Sequence, residues 1–409
     1  MIGIKKEAVF FFGKLITSKI STFTNVYEGR HFTGLKNKRP RKKYDQLSRR
    51  GSKGRELVLE YFSGTTLVEH IDQLPLNLFA SPTSNNYNVY LCHDDVAAQV
   101  VNMVKDDLST SPSKVIEMNP GIGSLTKKLI DFNVRFVKLL EPNEKFTTIL
   151  KDSLIRYSEN VNIENFDLVN FWKLVYQDKF QVPPRVPQLL SEFSRVPWGN
   201  ERGLKIIGSV MDGKFISFVA LDIIRQSKLS SYGRPCLYLC MPPEIWEKYT
   251  NDGSHPRRRT TPMSVLFQTI FDCEILGRVS RRAFLPWQTY SVRLNQKELA
   301  NNEAVMYVVR IEGKKNLFSE VMDEELLEPY WFFLRHILRS QSNRVIQQME
   351  CWEPDCGLAL IKQGYNVFTY FSDLKPVKIY ELYKDFTTWP SFQSSFIPCV
   401  ENSIVIDYL

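Results

Sequence analysis

Residues 115–126 read VIEMNPGIGSLT. A short apolar run carries a glutamate, breaks at a proline and two glycines, and resumes with helical spacing. Strand, glycine turn and helix in that order form the opening unit of a doubly wound sheet, in which glycines bring the backbone close to a ligand and helix N–H groups face it. The alternation continues downstream. A helix is expected from about Ser124 to Phe132, a strand over VRFVKLLE, a helix over NEKFTTILKDSL and a strand over NVNIENFD. After a proline-containing excursion (172–203) come the strand LKIIGSV, the helix KFISFVALDIIRQS and the strand CLYLCMP, with a late strand over 304–313. Strands alternating with helices of this length predict βαβ units and a mostly parallel sheet. From about Leu317 the pattern turns helical (EPYWFFLRHILRSQSNRVIQQM, DCGLALIKQGY, PVKIYELYKDFTTW). That change predicts a smaller C-terminal all-helical domain over 317–409 beside an α/β domain over 78–316.

The 409 residues carry a net charge of +8. Residues 1–50 hold thirteen Lys or Arg against Glu7, Glu28 and Asp45, so the rest of the chain is close to neutral. The first 27 residues are rich in Lys, Ser, Thr and Phe with one acid, the composition of a mitochondrial transit peptide; residues 28–77 read as a basic, partly disordered segment. Seven cysteines (Cys92, Cys236, Cys240, Cys273, Cys351, Cys356, Cys399) form no CxxC pair, which fits a reducing compartment and argues against zinc. No apolar run is long enough to cross a bilayer.

Gly121 and Gly123 supply the turn. Glu141 stands 20 residues after Gly121 at the end of the second strand, where a carboxylate can accept from both ribose hydroxyls. Asp167, after the third strand, is placed to accept from an adenine amine. No Lys-Ser or Lys-Thr follows the glycines, against a P-loop, and Ser124–Thr126 stand where a dinucleotide turn needs a third glycine. S-adenosylmethionine, which has no pyrophosphate, suits the turn better.

VIEMNPGIGSLTKKLI followed by VKLLEPNEKF resembles the KsgA-type rRNA adenine dimethyltransferases, whose first motif is E-x-G-x-G-x-L-T and whose second strand ends in Glu. Upstream, NVYLCHDD resembles that family's Q-N-F-L segment. Within the family the chain is most similar to the mitochondrial transcription factor B branch, in particular its second, polymerase-activating member, through NPGIG, VPW before LKIIG, PW at 286–287 and FFLRHILRSQSNRVIQQM. The resemblance implies a Rossmann-like class I S-adenosylmethionine methyltransferase fold, with Leu91, Glu117, Gly121, Gly123, Glu141 and Asp167 at methyl-donor positions. Asn119 replaces the first motif glycine, and Asn88 and Val89 replace Gln-Asn.

Active members hold the adenine with N-L-P-Y or N-L-P-F after the fourth strand. Here Ser209, Val210, Met211 and Asp212 occupy those positions, so the amide acceptor and the stacking ring are both missing. Arg257, Arg258, Arg259, Arg278, Arg281 and Arg282 form two basic clusters suited to phosphate contacts, and Arg335 and Arg339 recur in the helical region. Phe284 and Trp287 are candidates for stacking on separated bases. The five histidines carry no assigned chemistry. The resemblance implies a monomeric protein of the mitochondrial matrix nucleoid, a transcription initiation factor that binds mitochondrial RNA polymerase and helps open promoter DNA. Two alternatives stay open: an active dimethyltransferase of adjacent adenosines in the small-subunit mitochondrial rRNA hairpin, and an rRNA-binding assembly factor without catalysis.

Overall fold

A computed structural model describes residues 55–75, 78–79, 88–109, 114–180, 182–199, 202–251, 260–287 and 304–408. The expected transit peptide, the basic segment up to residue 54 and Arg257–Arg259 lie outside them.

Nine strands are described: β1 (Tyr90–Leu91), β2 (Lys114–Met118), β3 (Phe136–Leu140), β4 (Val161–Glu164), β5 (Arg202–Ser209), β6 (Arg234–Met241), β7 (Phe271–Ser280), β8 (Phe284–Leu285) and β9 (Val305–Gly313). Seven form one sheet in the order β4-β3-β2-β5-β6-β9-β7, and β1 pairs antiparallel with β8. The run from β4 to β6 is parallel, and β9 lies antiparallel between β6 and β7. The chain leaves β2 for β3 and β4 on one side, then returns to β5 and β6 on the other. The order therefore reverses between β2 and β5, and the crevice beyond their carboxyl ends is the topological switch point where such sheets bind ligands. Register brings Met118 opposite both Leu140 and Gly208, so β2, β3 and β5 end level with one another there.

Sheet burial explains the strand sequences. Covered on both faces, β2, β5 and β6 are nearly continuous apolar runs. Lys138 in β3 is a buried charge that organises its surroundings. Its side chain is fully buried, and its ammonium meets Glu192 at 2.9 Å and Glu164 at 3.2 Å. Glu192 arrives from the 172–203 excursion, which folds as two short helices, Phe171–Gln177 and Arg185–Leu189, rather than as an open loop.

Helix starts follow local chemistry. Asn143 accepts from the Lys145 N–H ahead of the helix Glu144–Ser153, and Thr261 and Ser264 form a reciprocal capping box with Pro262 in the first turn. The C-terminal helices Glu324–Ile337, Pro376–Thr387 and Ile397–Tyr408 share one apolar cluster with the sheet and with the helices Lys214–Ile224 and Pro262–Ile270. Tyr330 shows the join: it is fully buried, its hydroxyl lies 3.1 Å from Thr269 Oγ1, and its ring packs on Tyr383 at 4.8 Å.

Residues 55–75 and 78–79 form a cap, most of it within the segment that the sequence reads as basic and partly disordered. A helix over 55–61 and a second over Thr66–His70 bury Val58, Phe62, Leu67, Ile71 and Leu74 against Tyr90, Cys92, Ile122, Phe146 and Leu285. The Thr66 backbone N–H and hydroxyl both donate to Asp94 Oδ2, at 2.9 and 2.8 Å.

Two strands, β2 and β5, approach closely below the switch point. A Cβ at Gly208 would lie 2.4 Å from the carbonyl oxygen of Met118, and backbone cannot yield as a flexible side chain can. Gly208→Ala is expected to cost about 1–3 kcal/mol of stability, read as a lower urea midpoint at unchanged slope; an unchanged midpoint would contradict this account.

Candidate functional site: the glycine turn and its acids

The turn after β2 is built on left-handed residues. Asn119, Gly121 and Gly123 take φ of 56°, 61° and 82°. Asparagine tolerates this region better than other non-glycine residues, so Asn119 does the backbone work of the glycine it replaces. The added side chain is not neutral, because its amide reaches the Ser209 carbonyl at 3.4 Å and fills space at the switch point.

Glu141, just past β3, is fully buried. Its Oε2 accepts from the Gly121 N–H at 3.0 Å and its Oε1 from the Asn143 N–H at 2.8 Å. The Tyr90 hydroxyl lies near enough to the carboxyl to act on it electrostatically. Burial outweighs these donors and pushes the carboxyl up to about 8. Glu117, in β2, is equally buried and accepts from the Thr126 hydroxyl at 2.8 Å; burial raises it to about 8 as well. Asp167 does a different job, because its carboxylate caps the following turn by accepting from the Asn170 N–H at 3.2 Å and side-chain amide at 2.7 Å. Leu91 lines the same crevice as Glu117, Asn119, Ser209 and Phe284.

S-adenosylmethionine can be tested against this geometry. The polar set suits a nucleoside: a strand-end carboxyl, a glycine turn and a second acid lie where the resemblance places them. The cavity lined by Leu91, Glu117, Asn119, Ser209 and Phe284 at the switch point is about 10 Å³. The aromatic ring of Tyr90 lies on Gly121, with its Cβ and Cδ1 only 3.1 and 3.2 Å from where a Cβ on that glycine would stand.

The four acceptor positions are all committed elsewhere. Ser209 donates to the Val89 carbonyl, Val210 and Met211 are core residues at 1% exposure, and Asp212 accepts from the Lys214 N–H at the start of a helix. None of the four presents an amide or an aromatic face to a base.

The arginines separate. Arg278 and Arg339 are exposed, as is Arg335, and Arg278 lies over the Tyr307 ring at 5.3 Å. Arg281 must be withdrawn as a phosphate contact. It is 1% exposed and donates to the carbonyls of Phe284 and Pro286, both at 2.7 Å, so it ties a loop from inside. Arg282 is sandwiched by Tyr61 and Trp287, with its guanidinium 4.2 and 5.5 Å from their rings. Phe284 is core, part of β8, and Trp287 donates to the Arg282 carbonyl and packs on Phe62; neither offers a bare stacking face. Sequence reading missed Tyr90 and Asp94. The clue was an aromatic residue beside Leu91, but its target is set by tertiary packing.

Because folded Glu117 holds its proton up to about 8 while the unfolded chain releases it near 4.5, raising the pH across that interval costs stability. Glu117→Gln removes the titration and keeps an acceptor for Thr126. Its melting temperature relative to wild type should rise steadily from pH 5 to pH 8 in thermal unfolding; a pH-independent difference would contradict burial as the cause.

Comparison with known proteins places this geometry. Residues 87–350 match the family model described as ribosomal RNA adenine dimethylase. The Drosophila melanogaster protein named dimethyladenosine transferase 2, mitochondrial, is 29% identical over 365 residues, covering 78% of this chain and 80% of the relative. The human protein of that name is 20% identical, covering 67% and 71%. Among solved structures, the 23S rRNA methyltransferase ErmE aligns with a TM-score of 0.46 at 15% identity, over 71% of this chain and 98% of that one. A dimethyladenosine transferase from Plasmodium falciparum aligns with a TM-score of 0.45 at 12% identity, over 72% and 95%. The chain belongs to the ribosomal RNA adenine dimethylase family, whose methyl donor is S-adenosylmethionine.

Proposed function

We propose that this protein is a mitochondrial transcription initiation factor that assists mitochondrial RNA polymerase in melting promoter DNA, on a scaffold inherited from an rRNA adenine dimethyltransferase. The observation that carries the reading is the acceptor loop. Adenine methylation needs a hydrogen-bond acceptor for the amine and a ring beneath the base, and Ser209 to Asp212 supply neither while each is bound into the fold. A fold hosts many functions, so loss of the chemistry leaves the nucleic-acid scaffold available for another use. Relatives named mitochondrial support a mitochondrial location, and the composition of residues 1–27 supports import to the matrix, with the nucleoid as the working site. Among the described residues no helix is long and apolar enough to cross a membrane.

Exposed Arg278, Arg335 and Arg339 are the phosphate contacts of this reading, with promoter DNA as partner and small-subunit mitochondrial rRNA as the ancestral one. Arg257–Arg259 join them as a proposal from sequence alone. The second reading, dimethylation of adjacent adenosines in the rRNA hairpin, draws on Glu117, Gly121, Gly123 and Glu141, the donor positions that the resemblance implies.

Run-off transcription from a linear duplex mitochondrial promoter, by the cognate polymerase and its DNA-packaging partner, tests the proposal. Full-length product is expected only when this protein is added. Transcription indifferent to it would sink the polymerase role, and labelled methyl transfer to the rRNA hairpin would then support the second reading. Replacing Arg335 and Arg339 together by Ala should weaken single-stranded DNA binding for all sequences alike and flatten the dependence of log K on log salt by about 1.4, two phosphates at roughly 0.7 each. An unchanged slope would remove these arginines from the interface.

A further inference from the structure

The helix Phe171–Gln177 buries Phe171 and Leu174 in the core and turns other aromatic side chains outward. Trp172 is 46% exposed, Tyr176 58% and Phe180, just beyond the helix, 76%. Trp172 and Tyr176 stand four residues apart and so share a helix face. The rings of Tyr176 and Phe180 meet edge to face with their centroids 5.5 Å apart. All seven tryptophans of the chain are among the described residues, and Trp172 is the one that the fold leaves exposed. A contiguous run of bare rings on a surface marks a place of contact with another molecule.

The exposed charge around these rings has one sign. Within residues 171–190 the bases are Lys173, Lys179 and Arg185, and the single acid is Asp178. The Asp178 side chain is buried: its Oδ2 accepts from the Val186 N–H at 2.8 Å, and its Oδ1 lies 3.7 Å from Arg185 Nε. Its charge is therefore answered inside the segment, and the outer face keeps the lysines. The Lys173 ammonium lies 5.7 Å from the centre of the Trp172 ring, and the Lys179 ammonium 5.9 Å from that of Tyr176. Each lysine stands beside a ring. An apolar protein face would complement the rings and leave the ammonium groups unanswered. A single strand of nucleic acid complements both, because every base has a face to stack and every link carries a phosphate.

We propose that Trp172, Tyr176 and Phe180 form a stacking platform for single-stranded DNA, with Lys173 and Lys179 holding the phosphates beside it. The choice of DNA rests on the transcription reading, in which promoter strands are separated. None of these residues lines the crevice at the switch point; they are carried by the excursion between β4 and β5. A base inside a duplex has both faces covered by its neighbours, so the platform takes hold of unpaired bases alone. Binding one form and not the other shifts the equilibrium toward the open strands.

Fluorescence anisotropy of a labelled oligothymidylate of about 12 nucleotides, titrated with the full chain in the absence of polymerase, tests it. Trp172→Ala is expected to weaken binding about five- to tenfold, and Trp172→Phe, which keeps a ring, by less than about twofold. Replacing Lys173 and Lys179 together by Gln should flatten the dependence of log K on log salt by about 1.4, whereas Trp172→Ala leaves that slope unchanged. A duplex of the same length should bind wild type and Trp172→Ala alike. Phe180→Ala, at the most exposed ring, decides the matter if Trp172→Ala fails to fold by near-ultraviolet circular dichroism. Equal binding of the oligothymidylate by wild type and the folded ring variants overturns the proposal; a fall in run-off transcription by those same variants would then assign the surface to a protein partner. Tighter binding of oligouridylate, with the same dependence on Trp172, overturns the choice of DNA in favour of RNA. Run-off transcription indifferent to the whole protein would sink the transcription reading and leave the oligonucleotide result as it stands.

Discussion

One buried carboxyl group sets the geometry on which the rest of the crevice depends. Glu141 receives a backbone N–H from the glycine turn after β2 and another from Asn143 at the next helix. The turn and the helix start are thereby located against one side chain. Charge at such a depth is unfavourable, and the raised proton affinity of Glu141 shows that the hydrogen bonds only partly offset the loss of water. An acid so placed is costly to keep without a ligand to receive, unless something else satisfies it. Two backbone amides do so here.

The donor and acceptor halves of the crevice differ for a physical reason. On the donor side the side chains still point inward, and their hydrogen bonds preserve the turn and the strand ends. On the acceptor side every group has been turned to structural use: Ser209 ties β5 to the backbone before β1, Val210 and Met211 fill the core, and Asp212 starts a helix. Fixing the backbone of the turn requires the acids, whereas nothing in the fold requires an amide and a ring after β5. On the proposed reading, loss of the reaction would leave the first set under structural constraint and release the second.

The parallel sheet was legible in the sequence because its signals are local. Apolar runs of four to eight residues, a glycine pair and helical spacing each lie within one window, and β2, β3, β5, β6 and β9 fall within a few residues of their expected bounds. Gly121 and Glu141 were legible for the same reason, through the turn and the spacing from it, whereas Glu117 came only from the resemblance of the motif. What could not be read were matters of long-range packing. Nothing near residue 281 distinguishes an arginine that lies on the surface from one buried beneath Phe284 and Pro286. The cap was obscured by its position after a strongly basic stretch, and Tyr90 by the need to know what lies across from it. Asp167 adds a role that spacing does not reveal, since its carboxylate also caps the following turn.

The continuous core across the C-terminal helices has a bearing on how such a chain can be divided. Phe333, Tyr383 and Phe386 lie in the same apolar body as Phe215 and Leu266, and Tyr330 completes it through Thr269. A gene fragment that stopped after β9 would expose the face of the Pro262–Ile270 helix that these rings cover, and the fragment would be prone to associate through it. The helical region therefore behaves as the last layer of one folding unit rather than as an exchangeable module. Arg335 and Arg339 are carried on that layer, so their spacing from the carboxyl ends of the strands is fixed by side-chain packing, as marks on a ruler, and is not left to a hinge.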